Sequence, residues 1–311
     1  MRKILVVGAG GYIGSAITSA LSDGKDMKVI GFGHDKNLPI LKSIVPDIEF
    51  ISGDITDKAS LKKALVGVDG VVHTVSLVGN RACTDAPWEA IKVGVHGTFT
   101  LLSAIKSIFS KDFPLILHIS TQSVYGTFAK RPMPLREDME VAPDDLYGAI
   151  KMEQELLLRE LNPIILRLTN VYGYGTGIGH EKNVVTKFIK SAKEKSAVTL
   201  FGDGSQGIDF IHVNDVADVV GKIFSMKGIS RGAYNVGGGK ATSIKEVAEA
   251  IVSIAKEKKL GPVEIIQEEA PADKIWPDRW VSNDKLKKNY KWSPKISIGK
   301  GVSDLFEYYK K

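Results

Sequence analysis

The sequence has only one cysteine, Cys83, among its 311 residues. A single cysteine cannot form an intramolecular disulfide, and it argues against a thiolate-rich metal site. Long apolar runs are also missing, because none approaches the roughly 20 residues that a membrane-spanning helix needs. The basic start, Met1-Arg2-Lys3, leads into an apolar run that glycines end too early for a signal peptide. We therefore expect a cytoplasmic protein with no membrane partner.

Long stretches of one charge are absent as well. The formal net charge is +6, with 42 lysines and arginines against 36 acidic residues. The basic residues are scattered in short clusters such as Lys287-Lys288, which is typical of a solvated surface, so we expect no nucleic-acid partner. No cluster of carboxylates and histidines suggests a metal site, and we predict no metal. With 43% hydrophobic residues, the chain can bury a large core.

The N-terminal stretch combines an apolar run with a glycine-rich turn. Ile4-Leu5-Val6-Val7 has the continuous hydrophobicity of a buried parallel strand. It leads into a turn containing Gly8, Gly11 and Gly14, and a helical pattern follows through Leu21. Glycines let the backbone approach a pyrophosphate, and the helix N-terminus offers N–H groups and a positive dipole end. The stretch therefore predicts a dinucleotide-binding turn.

Strand and helix patterns then alternate along the first half of the chain. Further strands are predicted at residues 28–32, 48–52, 68–75, 115–120 and 164–168, and helices at 58–66, 88–108 and 145–161. Repeated β-α units imply an α/β fold with a doubly wound parallel sheet of the Rossmann type, whose ligands bind at the carboxyl ends of the strands. We assign residues 1–170 to this dinucleotide-binding domain. Residues 171–311 are assigned mainly to a smaller C-terminal α/β substrate lobe, with some segments returning to the first domain.

Three polar side chains have the chemistry of a proton-transfer site. Tyr147 and Lys151 are four residues apart and lie on one face of a helix. An ammonium near a phenol favours the phenolate, so we expect Lys151 to lower the pKa of Tyr147 and make it a proton acceptor. Thr121 follows the strand at 115–120 and places a hydroxyl at the same edge of the sheet. Together these groups can move a proton off a secondary alcohol while a nicotinamide takes the hydride.

A series of motifs runs in order along nearly the whole chain. It consists of Gly8-x-x-Gly11-x-x-Gly14, Gly53-Asp54-Ile55-Thr56-Asp57, Ser120-Thr121-x-x-Val124-Tyr125-Gly126, Tyr147-x-x-x-Lys151 and the stretches at 166–173, 201–206, 209–217 and 234–237. In these motifs and their separations the chain resembles the extended short-chain dehydrogenase/reductase superfamily. Within it, the similarity is to the NAD-dependent nucleotide-sugar epimerases and dehydratases.

The resemblance implies roles for individual residues. Tyr147 is the expected acid and base, Lys151 holds the nicotinamide ribose, and Thr121 hydrogen-bonds the reacting hydroxyl. Besides Tyr147 and Lys151, the cofactor is expected to contact the glycine turn and the ends of the next strands, at Gly8, Gly11, Tyr12, Ile13, Gly14, Gly33, His34, Asp54, Ile55, Thr74, Val75 and Ser76. The substrate is expected to contact Ser123, Asn170, Asn183, Val184, Phe201 and Lys274.

Two departures from the family pattern bear on the chemistry. The dehydratases carry Asp-Glu after the threonine, whereas this chain has Gln122-Ser123, which argues against a 4,6-dehydratase. The acid that usually binds the adenosine ribose is replaced by Gly33, followed by His34, Asp35 and Lys36. Loss of the acid beside basic groups admits a 2′-phosphate, while Asp35 is an alternative partner for the ribose diol. Both NAD and NADP therefore stay open as the cofactor.

The substrate side departs from the pattern too. Where the family has an arginine before Asp-Phe-Ile-His-Val, this chain has Ile208. A second phosphate-binding arginine is expected at residues 269–279, where Lys274 and Arg279 are the suitable cations. Gly94 stands where an asparagine is common. These positions leave the identity of the sugar and of its base open.

The leading hypothesis is a nucleotide-sugar epimerase that acts at C4 of a UDP-hexose through a 4-keto intermediate. An NADP-dependent reductase or dehydrogenase of a keto-sugar or another carbonyl compound would use the same three residues. A cofactor-binding module without activity is a third hypothesis. The resemblance also implies a homodimer formed through the helices at 88–108 and 145–161.

Overall fold

The computed structural model describes residues 1–24, 26–175, 183–270 and 277–309. Its largest element is a parallel sheet of seven strands, formed by β1 (Arg2–Val7), β2 (Met27–Gly33), β3 (Glu49–Ser52), β4 (Gly70–His73), β5 (Leu115–Thr121), β6 (Ile164–Leu168) and β11 (Gly232–Val236). Their order across the sheet is β3-β2-β1-β4-β5-β6-β11. The order reverses between β1 and β4, where doubly wound sheets bind their ligands. The predicted fold class is confirmed.

The central strands are buried because apolar side chains cover both faces of the sheet. In β1 the four side chains from Ile4 to Val7 are fully buried. All four residues of β4 and all seven residues of β5 are buried as well. The carboxyl ends of these three strands therefore form one rigid edge, and the residues that follow them are held close together.

Helices cover both faces of this sheet. Those before residue 170 are α1 (Tyr12–Ser22), α2 (Leu38–Ile44), α3 (Lys58–Ala64), α4 (Asn80–Asp85), α5 (Pro87–Ile91), α6 (Gly97–Ile108) and α7 (Leu146–Leu158). On one face, α1 packs with α9 (Val213–Ser225), and on the other face α3, α6 and α7 share an apolar cluster. The sequence pattern does not predict α2 and α4, which have only seven and six residues.

The helix predicted at residues 88–108 contains one widened turn. It consists of α5, a π-helical turn (Lys92–His96) and α6. Within the turn, a Cβ at Gly94 would lie 2.4 Å from Cγ2 of Ile150 on α7, so the glycine permits a close approach of the two segments. The Gly94 carbonyl oxygen accepts a hydrogen bond from Nε2 of Gln154 over 3.1 Å. The predicted helix is therefore present over its whole length, and the widened turn inside it is the feature that apolar periodicity does not reveal.

After β6 the chain forms smaller elements. They are β7 (Asn170–Tyr172), α8 (Val184–Lys195), β8 (Ala197–Phe201), β9 (Gly207–Ile208), β10 (Phe210–His212), β12 (Thr242–Ser243), α10 (Ile244–Glu257), β13 (Glu264–Glu268), α11 (Asp284–Tyr290) and α12 (Ile298–Tyr308). A separate apolar cluster joins α8, α10 and α12 beside β8, which pairs with β13. By contrast, β11, α9 and α11 pack with the seven-stranded sheet. Segments of the C-terminal half therefore complete the main sheet and its cover.

Candidate functional site

Thr121 and Tyr147 meet where β5 ends and α7 begins. Thr121 is the last residue of β5, and its hydroxyl hydrogen-bonds the phenol of Tyr147 in the first turn of α7. The carboxylate of Asp145 caps α7 by accepting from the backbone N–H of Gly148 over 2.6 Å. A Cβ at Gly148 would lie 2.6 Å from the carbonyl oxygen of Ser123. The cap and the glycine therefore hold the start of α7 against the turn that follows β5.

Lys151 lies one helical turn further along α7 and is almost fully buried. Its side chain is 3% exposed, and Nζ donates to the carbonyl oxygen of Ile119 over 2.8 Å. Burial lowers the pKa of Lys151 to about 7, while the carboxylate of Glu155 acts in the opposite direction. Because Ile119 and Thr121 both belong to β5, the structure brings together the three groups that the sequence predicts to act together.

The acidity of Tyr147 differs from the expectation. Burial raises the pKa of its phenol above the ordinary value, and the neighbouring Cys83 and Asp145 act in the same direction. The hydrogen bond from Thr121 opposes this shift. The ammonium of Lys151 is directed to the carbonyl group of Ile119 and is not among the groups that shift the pKa. The described residues therefore do not give Tyr147 the lowered pKa that its spacing from Lys151 predicts.

A buried ion pair behind these groups was not among the predicted site residues. Glu155 accepts from Nε and from a terminal nitrogen of Arg167 on β6, over 3.1 and 2.8 Å. The hydroxyl of Ser120 donates to Oε1 of Glu155 over 2.5 Å. Ser120 is also the register partner of Arg167 in the sheet. The one sequence signal for this pair is the spacing of four residues that places Glu155 on the same helix face as Lys151.

The glycine-rich turn leaves no room for side chains. A Cβ at Gly14 would lie 2.0 Å from the carbonyl oxygen of Gly8, and a Cβ at Gly8 would lie 2.4 Å from Oγ1 of Thr74. Gly8 also has a φ of +93°, which favours glycine. Gly11 precedes α1 without a side-chain cap, and the first turn of α1 contains no acid. The residues present therefore fit the pyrophosphate of a dinucleotide, which needs close backbone approach and N–H donors.

Tyr12 and Ile13 form the start of α1. The hydroxyl of Tyr12 donates to the carbonyl oxygen of Gly173 over 3.2 Å, and a Cβ at Gly175 would lie 2.6 Å from the Tyr12 ring. Burial raises the pKa of the Tyr12 phenol well above its ordinary value. Ile13 packs on the apolar cluster between α1 and α9. Tyr12 therefore links the glycine turn to the segment that follows β7.

The predicted adenosine residues lie at the ends of β2 and β3. Gly33 ends β2, and an added Cβ would meet only the edge of the Phe50 ring, at 4.0 Å. Nε2 of His34 lies 3.8 Å from Oδ2 of Asp54. Burial alone would raise the pKa of Asp54. Hydrogen bonds from Thr56 and the charge of His34 outweigh burial and keep that pKa below its usual value. Ile55 is 5% exposed and packs against α6.

Thr74, Val75 and Ser76 directly follow β4. The hydroxyl of Thr74 donates to the carbonyl oxygen of Val7 at the end of β1 over 2.9 Å. The carbonyl oxygen of Val75 accepts from Nε2 of Gln154 on α7 over 3.2 Å. The hydroxyl of Ser76 donates to the next carbonyl group over 3.1 Å. These residues therefore lie beside the glycine turn, at the point where the strand order reverses.

Two predicted substrate residues follow strands of the first half. The backbone N–H of Ser123 donates to Oγ1 of Thr121 over 3.2 Å, so Ser123 adjoins the Thr121–Tyr147–Lys151 group. Asn170 opens β7, and its side-chain amide donates to the carbonyl oxygen of Asp209 over 3.2 Å.

The remaining predicted substrate residues belong to the smaller elements. The side chain of Asn183 caps α8 by accepting from the backbone N–H of Thr186 over 2.8 Å, and Val184 is the first residue of that helix. Phe201 ends β8 and is 48% exposed. Lys274 lies outside the described residues. Asn183, Val184 and Phe201 are therefore on elements other than β5 and α7.

Asp209 is a buried acid that the sequence analysis does not assign to the site. It is fully buried, and its carboxylate accepts from the backbone N–H groups of Gly238, Gly239 and Val281. Burial raises the pKa of Asp209 to about 7, although these hydrogen bonds act in the opposite direction. The side chain therefore joins the start of β10 to the segment after β11 and to the segment around residue 281.

The four described ranges contain no group of three or more histidine, cysteine or acidic side chains that could hold a metal ion. Among the helices of these ranges, none is both long and apolar enough to cross a membrane. Cys83 is buried on α4 and packs with Ala90 and Ile150.

Known proteins match the chain over nearly its whole length. A UDP-glucuronate 4-epimerase from Thermodesulfobacterium geofontis is 29% identical, and the match covers 100% of this chain and 97% of the relative. The crystal structure of UDP-glucuronic acid 4-epimerase from Bacillus cereus, in complex with UDP-glucuronic acid and NAD, superposes with a TM-score of 0.84. It is 26% identical, with 99% of each chain covered.

A further solved structure and a family model agree with this likeness. A crystal structure of UDP-glucose 4-epimerase has a TM-score of 0.85 over 99% of this chain and 98% of its own, and at 23% identity it supports the fold alone. The family model matches residues 4–237, a span that contains the glycine turn, Thr121, Tyr147 and Lys151. Since this match covers well over half of the sequence, the chain belongs to the NAD dependent epimerase/dehydratase family.

Proposed function

We propose that this protein is a nucleotide-sugar epimerase that inverts C4 of a UDP-hexose or its uronic acid with a nicotinamide dinucleotide cofactor. The observation that carries the proposal is the meeting of Thr121, Tyr147 and Lys151 at the sheet edge next to the glycine turn. The relatives described above are 4-epimerases of UDP-sugars. An intact hydroxyl–phenol–amine set argues against a cofactor-binding module without activity.

In the proposed reaction, Tyr147 is both base and acid at the 4-hydroxyl group of the sugar. As a phenolate, which a hydrogen bond from Thr121 favours, Tyr147 takes the hydroxyl proton and becomes the phenol, and it later returns that proton to the sugar oxygen. A nicotinamide held beside Thr121 and Tyr147 would supply the hydride acceptor and donor that inversion at C4 requires. Lys151, fixed at the carbonyl group of Ile119, would hold the nicotinamide ribose with its remaining N–H donors.

NAD is the cofactor that we favour for this cycle. The Bacillus cereus relative was solved with NAD. In this chain Gly8, Gly11 and Gly14 would hold the pyrophosphate, while Asp54 and Ile55 would contact the adenine. An epimerase regains its oxidised cofactor in each turnover, so the cofactor should stay bound through purification.

A keto-sugar reductase or dehydrogenase is the second candidate function. The observation that favours it is that Gly33 ends β2 without an acidic side chain and precedes His34 and Lys36, a combination that admits a 2′-phosphate. NADP binding is typical of enzymes that consume a reduced cofactor. Such an enzyme would use Thr121 and Tyr147 in the same way but would release the cofactor after each turnover.

We also propose an arrangement of this chain around the site. Residues 1–170 bind the cofactor, residues 171–311 mainly bind the substrate, and two copies associate through α5, α6 and α7. Apolar side chains on these helices are exposed, with exposed fractions of 82% for Trp88, 55% for Phe99 and 50% for Leu156. Exposed apolar groups on adjacent helices are typical of an interface. We also propose a cytoplasmic location, because the sequence has a single cysteine and therefore no intramolecular disulfide.

One experiment separates these functions. The purified protein is incubated with UDP-glucose or UDP-glucuronate without added cofactor, and the ligand released on denaturation is identified by mass spectrometry. Formation of the 4-epimer with released NAD supports the epimerase, and Tyr147→Phe should then lower kcat by about 10²–10⁴-fold while the cofactor stays bound. Net consumption of NADPH with a keto-sugar, without epimer formation, contradicts the epimerase and supports the reductase.

A further inference from the structure

Gln122 has a buried side-chain oxygen without a hydrogen-bond partner in the described ranges. The residue directly follows Thr121 at the end of β5 and is only 5% exposed. Its Oε1 is closed off from solvent, and no donor among the described residues reaches it. Burying an amide oxygen without a donor costs free energy. The position therefore suits a ligand group that supplies the missing hydrogen bond.

A second buried glutamine shows how an amide serves the fold. Nε2 of Gln154 on α7 donates to the carbonyl oxygens of Val75 and Gly94 over 3.2 and 3.1 Å. It also donates to Oγ1 of Thr98 over 2.9 Å, and although its Oε1 lacks a partner, these bonds join three segments. The side chain of Gln122 forms no hydrogen bond within the described part of the chain, so its amide joins no elements there.

Gln122 lies next to the groups that are proposed to react. It opens the 3₁₀ turn (Gln122–Tyr125) at the carboxyl end of β5, where doubly wound sheets bind their ligands. On either side of it, the hydroxyl of Thr121 hydrogen-bonds Tyr147 and donates to the hydroxyl of Ser123 over 3.3 Å. Neighbouring Cα atoms are about 3.8 Å apart, so a sugar whose 4-hydroxyl group meets Tyr147 has its C3 and C6 groups close to Gln122.

We propose that Gln122 is a specificity-determining residue that hydrogen-bonds a hydroxyl group of the sugar, at C3 or at C6. A hydroxyl group both donates and accepts, so it can donate to Oε1 and accept from Nε2 of the same amide. A carboxylate only accepts and would leave Oε1 without a donor. The inference rests on the proposed function and narrows its substrate class, because contact at C6 favours a neutral UDP-hexose over its uronic acid.

Steady-state kinetics with three substrates tests this contact and identifies the hydroxyl group. UDP-glucose, UDP-glucuronate and UDP-xylose, which has no C6, are given to the wild type and to Gln122→Met. If Gln122 binds the C6 hydroxyl, kcat/KM falls by about 10–100-fold for UDP-glucose and not for UDP-xylose. If it binds the C3 hydroxyl, kcat/KM falls similarly for all three substrates. Equal values for wild type and variant, or a loss confined to UDP-glucuronate, overturn the proposal.

Stability and cofactor binding separate a ligand contact from a structural role. Methionine has a similar length and no amide to leave unpaired, so Gln122→Met should unfold at a urea concentration at least as high as the wild type. Its NAD affinity should be unchanged. Lower stability together with weaker NAD binding would assign Gln122 to the fold and overturn the proposal. Gln267→Met removes an exposed glutamine on β13 and should leave all three kcat/KM values unchanged.

If the wild type converts none of the three substrates, the proposed function fails, and nuclear magnetic resonance then judges Gln122 by itself. Labelling with ¹⁵N-glutamine gives side-chain signals from Gln122, Gln154, Gln206 and Gln267 only, and the Gln122 signal is the one absent from Gln122→Met. A shift of this signal when UDP-glucose or D-glucose is added in the presence of NAD supports the contact. An unchanged signal with both sugars overturns it.

Discussion

Glu155 and Arg167 form a buried, two-point ion pair that joins α7 to β6. The two bonds measure 3.1 and 2.8 Å, and the residues are only 8% and 6% exposed. The hydroxyl of Ser120 on β5, the strand that pairs with β6, donates to the same carboxylate. The pair therefore binds three elements together directly behind the candidate site.

The candidate catalytic residues lie on the face of α7 that contacts β5, and the contacts between the two elements are regularly spaced. Three consecutive residues of β5 bind three residues of α7 that are four positions apart. The pairs are Ile119 with Lys151, Ser120 with Glu155 and Thr121 with Tyr147. Since the spacing of four repeats one helical face, the position of the phenol and the amine depends on the rotation of α7 as a whole.

Glu155→Gln should destabilise the protein strongly. The glutamine keeps the size of the side chain but leaves the Arg167 guanidinium buried without a charge partner. Breaking a buried pair in this way costs about 3–5 kcal/mol of unfolding free energy. Urea unfolding of the wild type and of Glu155→Gln measures this loss of free energy. The double variant with Arg167→Met should lose less than the sum of the single variants, because no charge is then left alone.

A surface pair supplies the matched control. Lys28 and Glu49 are 2.7 Å apart but about half exposed, so Glu49→Gln should cost at most about 1 kcal/mol. Equal losses for Glu49→Gln and Glu155→Gln would contradict a special role for the buried pair.

The stability of the protein should depend on pH through Lys151. Its pKa is lowered from 10.5 to about 7, so between these values the unfolded chain binds a proton that the folded chain has released. The free energy of unfolding therefore rises with pH between about 7 and 10.5. Relative to Lys151→Met, the wild type should gain roughly 3 kcal/mol of unfolding free energy from pH 7 to pH 9.5.

Urea unfolding of both proteins at the two pH values, without cofactor, measures this gain. Lys42→Met, which removes an exposed lysine on α2, should not change the pH dependence. A difference between wild type and Lys151→Met that stays constant with pH would mean that burial does not shift the proton equilibrium of Lys151.

Local patterns in the sequence were enough to identify β1, the glycine turn and the Tyr147–Lys151 face, because each depends on residues close together in the chain. Contacts between distant segments were not accessible in this way. The pairing of Arg167 with Glu155 requires the register of β5 with β6, and the bridge between Ile208 and Arg279 joins segments far apart in the chain.

Side-chain roles were hard to predict for a related reason. A polar residue in a motif can serve a ligand or the backbone, and sequence does not distinguish these uses. Asn183, expected at the substrate, has its side-chain oxygen engaged in capping α8. Asp209 lies in a recognised motif, yet its carboxylate binds three backbone N–H groups of other segments.

Gly14→Ala should disrupt the cofactor turn. The added Cβ would lie 2.0 Å from the carbonyl oxygen of Gly8, and this backbone contact cannot be relieved by a side-chain rotation. We expect NAD affinity, measured by calorimetry, to fall at least about tenfold, and stability to fall by about 1–3 kcal/mol. Gly221→Ala on α9 is the control, because nothing lies within 4 Å of its Cβ. Gly221→Ala should raise stability by about 0.5–1 kcal/mol.

Unchanged NAD binding by Gly14→Ala would contradict the assignment of the glycine-rich turn to the cofactor.

Leu156→Arg should convert the proposed dimer into a monomer. Leu156 and Phe99 flank a depression of about 490 Å³ between α7 and α6, and both side chains are at least half exposed. In a twofold interface each substitution occurs twice, so two arginines would be brought into one apolar patch and would repel each other. Sedimentation velocity at micromolar concentration should show a dimer for the wild type and a monomer for the variant.

The control is Ile266→Arg, on the exposed strand β13 in the C-terminal half, which should remain dimeric. A monomeric wild type would exclude this interface, whereas a dimeric Leu156→Arg variant would mean that the two copies associate through another surface.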